Sequence, residues 1–182
     1  MKCTVLSIVA LMFLAFGAAP ASQPLHLRYV LTDAATNAPD DIRKKIVQAI
    51  DEAVAMYNAN GSFDREIRVN YNKGTPTAEA NIDGLITFGG QIGFRTALHE
   101  LGHCMGVGTH HNWRKLITDG KWTGEHALKQ LREFDGPDAV LHADRMHFWP
   151  YGLNYDREGG EVNSVRHVKM VIAIMKDLEE AR

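Results

Sequence analysis

The chain has 182 residues, 45% of them hydrophobic and 23% charged, with a formal net charge of −2. That balance carries no basic excess of the kind that nucleic acid or an anionic membrane surface would call for. Only two cysteines are present, Cys3 and Cys104, so a disulfide-stapled scaffold is excluded and the core must come from packing.

The first residues read as a leader. Lys2 is followed by an apolar run from Val5 to Phe16, interrupted only by Ser7, and Ala19-Pro20-Ala21 offers the small residues at which a signal peptidase cuts. The run is too short to span a bilayer comfortably. Cleavage after Ala21 predicts a secreted or periplasmic protein with no further membrane attachment. Removing 21 residues from 182 leaves 161, the length of one domain, residues 22–182, with a sizeable core. Cys104 would then stand alone, and inside an apolar helical face it reads as a small hydrophobe. A monomer is expected.

Leu25 to Thr32 alternates as a strand, with Leu25, Leu27, Tyr29 and Leu31 on one side. Pro39-Asp40-Asp41 opens a helix, its acidic residues near the positive end of the dipole. Ile42, Ile46, Ile50, Ala53, Val54 and Tyr57 keep helical spacing as far as Asn58, and Asn60-Gly61 ends it. Glu66 to Tyr71 is a second strand. Thr77 to Ile82 and Leu85 to Phe88 form a hairpin through Asp83-Gly84. Phe94, Leu98, Leu101 and Met105 give the next helix its core stripe.

Residues 111–141 carry weaker signals: a turn at Asp119-Gly120, a short helix from Glu125 to Phe134 and a break at Asp135-Gly-Pro137. Trp113 and Trp122 suit ordinary packing better than a cleft wall. After an aromatic and turn-rich stretch around Leu141 to Tyr155, Ser164 is expected to cap a last helix. Its stripe is Val165, Val168, Val171, Ile172, Met175 and Leu178.

The chemistry concentrates in His99-Glu100-Leu-Gly-His103-Cys-Met-Gly106-Val-Gly108-Thr-His110-His111. Four residues apart on a helix, His99 and His103 project from one face, which suits two nitrogens on one tetrahedral zinc. Glu100 sits beside them to handle the proton of a water molecule. Gly106 can adopt the left-handed turn that ends the helix and returns the chain across the metal.

This segment resembles the metzincins, the zinc metallopeptidases with H-E-x-x-H-x-x-G-x-x-H followed by a methionine turn. The order strand, helix, strands with an edge hairpin, zinc helix, methionine-bearing turn and C-terminal helix is similar too. The resemblance implies an α+β, zincin-like fold with a small mixed sheet. It also implies Zn²⁺ on His99, His103 and a third histidine, with Glu100 as general base and acid. Two departures matter. Thr109 stands where the third histidine would fall, so His110 reaches the metal only through a bulge that Gly106 and Gly108 make soft; His111 points the other way. The methionine turn reads Met146-His147-Phe148, so His147 is a rival third ligand, with Asp144 either orienting an imidazole or capping the loop.

The reading implied is a secreted zinc metallopeptidase that takes an extended peptide or protein substrate along the edge near Thr77 to Ile82. Tyr151 or Tyr155 offers a further hydrogen bond to the reacting carbonyl, though each suits a structural role better. The alternatives are a zinc hydrolase acting on cell-wall peptides, and a secreted zincin-fold binding module without turnover that grips a ligand around Trp113, Trp122 and Trp149.

Overall fold

The computed structural model describes residues 26–181, so the leader and Leu25 lie outside the described residues. Strand β1 (Leu27–Leu31) buries Leu27 and turns Arg28 and Val30 outward, the alternation of a strand with one covered face. Asn58 acts as a surrogate strand at its start: its Oδ1 accepts the Leu27 N–H at 2.8 Å and its Nδ2 donates to Leu27 O at 2.9 Å. A short helix α1 (Asp33–Thr36) follows, capped by Thr32 Oγ1. Helix α2 (Asp40–Asn60) starts after Pro39 with Asp40 and Asp41 in its first turn, and buries Ile46, Ala49, Ile50, Ala53 and Tyr57.

Strand β2 (Arg65–Tyr71) lies parallel to β1, with Tyr29 opposite Ile67. A parallel pair needs a crossover, and α2 supplies it. Strands β3 (Ala78–Ala80) and β4 (Leu85–Phe88) form the antiparallel hairpin, shorter at the β3 end than the Thr77–Ile82 expected. Because β4 also pairs parallel with β2, the sheet order is β1-β2-β4-β3 and β3 is left as an edge. Helix α3 (Phe94–Cys104) packs Leu98 and Leu101 into the same core as Tyr57, Ile67, Ile86 and Phe88.

A second sheet is new to the sequence reading: β5 (Ile117–Thr118), β6 (Lys121–Trp122), β7 (His142–Ala143) and β8 (Phe148–Trp149) pair antiparallel in that order. Two-residue strands are too short to show an alternation. Only the β5–β6 turn was legible, and it uses positive φ at both Asp119 (51°) and Gly120 (72°). Helices α4 (Glu125–Asp135) and α5 (Glu161–Glu180) pack on each other.

Ser164 does not cap α5. The helix begins three residues earlier, after Gly160, and the Ser164 hydroxyl donates back to Gly160 O at 2.9 Å from within the first turn. Its buried face is also rotated from the apolar stripe expected: Val168, Val171 and Leu178 are inside, but so are His167, Met170, Ile174 and Asp177. The chain is thus a mixed α+β protein with five helices and two small sheets among the described residues, where no helix is long and apolar enough to cross a membrane.

Asp177 shows why a carboxylate belongs on that face. Helix α4 has no side-chain cap of its own, and Asp177 provides one from α5: Oδ1 accepts from His126 N (2.8 Å), Oδ2 from Ala127 N (3.0 Å) and Trp122 Nε1 (2.9 Å). Removing it strands three donors, two of them buried. Asp177→Ala should lower unfolding stability by about 3 kcal/mol, measured by urea denaturation; a loss below about 0.5 kcal/mol, the level of an ordinary surface change, would rule out this cap.

Candidate metal centre

Helix α3 carries His99 and His103 on one face, and the chain then reverses. Gly106 takes φ +111°, and the turn it makes brings Val107 O back to accept a hydrogen bond from His103 Nδ1 at 2.7 Å. Gly108, at φ +68°, lets the turn at Met146 press against it: a Cβ there would lie 2.2 Å from Met146 O and 2.6 Å from Met146 Cα. The second turn presents His147. Asp144 Oδ1 closes it by accepting the N–H groups of Met146 (2.8 Å) and His147 (2.7 Å), and Trp113 Nε1 holds it by donating to Asp144 O (2.9 Å).

His99, His103 and His147 come together, each offering a nitrogen within 4.8 Å of the others. The protonation of two of them follows from their partners. His99 Nδ1 faces Gly152 O at 2.8 Å and His103 Nδ1 faces Val107 O, and a carbonyl can only accept. Each Nδ1 therefore carries the hydrogen, and each Nε2 keeps its lone pair. The two Nε2 atoms lie 3.1 Å apart with no hydrogen to share. Two nitrogens on one tetrahedral zinc are separated by about 3.3 Å. Burial, with His103 beside it, lowers His99 to about 3, and burial lowers His103 as well, so a proton does not bridge them at neutral pH. The donor set fits a divalent cation.

Glu100 is buried in the same cleft, and its Oε2 has no hydrogen-bond partner among the described residues. Burial pushes its carboxyl up to about 7; the Glu79 charge adds to this and Arg95 opposes it. The cleft, about 330 Å³, is walled by β3, α3 and the Met146–His147 turn. A second cavity of about 450 Å³ adjoins it, sharing His99, His147 and Asn154 and lined further by Trp149 and Tyr155.

His110 is placed outside this cluster. Its ring lies against His111 (4.2 Å between centroids), and its Nδ1 accepts the Asn112 N–H at 3.1 Å. The glycine turn that was to swing His110 inward instead delivers Val107 O to His103. Asp144 closes the loop, and its Oδ1 also lies 3.5 Å from His147 Nδ1. Tyr151 OH is spent on Asp135 (2.7 Å), whereas Tyr155 stands exposed at the second cavity. Trp113 and Trp122 are buried against each other.

Missing from the sequence reading are the carbonyls of Val107 and Gly152, which bear no side-chain signature, and His167. On α5, fully buried, His167 donates from Nδ1 to Tyr151 O (2.8 Å), next to the carbonyl that orients His99. Its Nε2 lies 3.3 Å from Tyr57 OH and 3.1 Å from Leu98 O. A buried polar residue among the apolar positions of α5 was the available signal. No protein-family model matches this chain, and neither a curated protein nor a solved structure matches it.

Two measurements follow from this geometry. Zinc binding to His147→Ala should weaken by at least about tenfold while His110→Ala binds as the parent does; the reverse result would move the third ligand to His110. Burial lowers His167 to about 4 from an ordinary value near 6.5. Its stabilising effect is therefore complete above about 6.5 and is lost as pH falls towards 4. Without metal, the parent should lose roughly 2 kcal/mol more than His167→Gln between pH 7.5 and pH 5, and parallel pH profiles would exclude it.

Proposed function

We propose that the protein is a secreted zinc-dependent metallopeptidase with a zincin-like arrangement, in which His99, His103 and His147 hold the metal and Glu100 moves the proton. The observation that carries this reading is the pair of unprotonated Nε2 atoms 3.1 Å apart on α3, beside a third imidazole. A helix with two histidines for hydrogen bonding alone would not set two lone pairs against each other in a buried place. When bound, zinc supplies a Lewis acid and makes a water molecule acidic near neutral pH.

The protein's own groups then divide the work. Val107 O and Gly152 O hold the imidazoles with their Nε2 atoms forward. Glu100, with one oxygen unpaired and a carboxyl raised towards neutrality, is suited to take a proton from the attacking water and return it to the leaving amine. The free edge of β3 borders the cleft and offers backbone groups to an extended peptide, and the cavity beyond His147 continues the path on the other side. A binding module without turnover has less to work with, since Trp113 and Trp122 are enclosed and only Trp149 of the three is exposed.

Peptide cleavage should vanish on chelation and return with zinc. Glu100→Gln should lose about 10²- to 10⁴-fold in kcat/KM with zinc stoichiometry unchanged. Cleavage that survives exhaustive chelation would falsify the reading.

A further inference from the structure

The charged groups facing the cleft are not equivalent. Arg95 is already committed, its guanidinium 2.7 Å from Asp156 and bonded to Leu153 O. Glu100 is buried. Glu79 is exposed, at the middle of edge strand β3 between two alanines, and makes no ion pair among the described residues. It lines the same cleft as Glu100, close enough for its charge to act on that carboxyl. The neighbouring wall residues Thr77, Ala78, Ala80 and Gln91 are uncharged. A ligand lying along β3 therefore meets one unneutralised charge, and it is negative.

We infer that Glu79 is the specificity residue of this cleft and receives a positively charged group of the substrate, either a lysine or arginine side chain or a terminal amine. The nature of the ligand, a peptide, rests on the peptidase reading above; the sign of the charge preference does not. An ammonium or guanidinium there pairs with the unneutralised Glu79 carboxylate, so this position gains from a cation and loses from an anion. A carboxylate on an edge strand can also serve only to deter strand pairing. That role predicts no dependence on the charge of the ligand.

The test uses the zinc-loaded full chain carrying Glu100→Gln, so that binding is read without turnover. Fluorescent peptides matched except for one residue, lysine, glutamine or glutamate, are titrated by anisotropy, each with a free and an acetylated N-terminus. The lysine peptide should bind about fivefold more tightly than the glutamine peptide, as a solvent-accessible ion pair allows, and the glutamate peptide more weakly than either. Adding Glu79→Gln should bring the lysine-to-glutamine ratio to about one, and Glu79→Lys should invert the order. A lysine preference that survives acetylation belongs to the side chain; affinity that acetylation lowers in all three peptides, and that Glu79→Gln lowers likewise, belongs to the terminal amine.

Equal binding of the three peptides with no effect of acetylation, or a lysine preference or acetylation effect unchanged in Glu79→Gln, overturns the inference. The same peptides offered to the parent protein separate the two readings. Cleavage without charge preference leaves the peptidase and removes Glu79. A Glu79-dependent preference without cleavage keeps Glu79 and removes the peptidase. Absence of peptide binding overturns both.

Discussion

Two hydrogen bonds set the character of this molecule: His99 Nδ1–H to Gly152 O and His103 Nδ1–H to Val107 O. Each fixes a tautomer, and together they aim two lone pairs at one point from 3.1 Å apart. In water such a pair would turn away or take up a proton. Here the rings are largely enclosed, the carbonyls do not release them, and desolvation keeps them neutral. A divalent cation answers all three conditions, because it accepts both lone pairs and leaves both Nδ1–H bonds in place.

The rest of the fold serves to put two carbonyls and a third imidazole at the end of a helix. Val107 O arrives through the turn at Gly106. Gly152 O arrives on a segment whose neighbours Tyr151 and Leu153 both hold positive φ (69° and 57°), an arrangement that surrounding contacts must enforce. His167 enforces it from α5 through Tyr151 O, and Arg95 bonds Leu153 O on the other side. His147 arrives on a turn closed by Asp144, held by Trp113 and seated on Gly108. Trp113 packs on Trp122, which donates to Asp177, so the small second sheet and the C-terminal helix are tied to the turn that presents His147.

How much of this was legible follows from what leaves a periodic or chemical trace in a sequence. The α2 helix and its Ile46, Ile50 and Tyr57 stripe were readable because one helical period is kept from Ile42 to Tyr57, and the β3–β4 hairpin because Asp83-Gly84 demands a turn. His99, Glu100 and His103 were readable because one helical turn fixes their relation. The choice between His110 and His147 was not, since it depends on whether a turn of irregular backbone folds towards the helix or away. Nor was the second sheet, whose strands hold two residues each. On α5 the apolar periodicity pointed to Val165, Ile172 and Met175, all only half-buried, while the fully enclosed positions include His167 and Asp177. Tertiary hydrogen bonds outweighed hydrophobicity there, and a single helix cannot announce a partner that lies elsewhere in the chain.

These dependencies have a thermodynamic consequence. Without a cation, the folded state holds two facing lone pairs and a buried carboxylate oxygen with no protein partner, each unfavourable where burial has stripped away part of the surrounding water. The unfolded chain has none of these costs, because water satisfies every group. A divalent cation bound there would remove a penalty that exists only in the folded state, and its affinity would be expressed partly as folding stability. The penalty is not spread evenly. It falls on α3 and on the two turns at 106–108 and 146–152, whereas the β1-β2-β4-β3 sheet and α2 pack through apolar contacts that involve none of these groups. Left uncompensated, that penalty should loosen the turns that present His147 and Gly152 O before it reaches the apolar core.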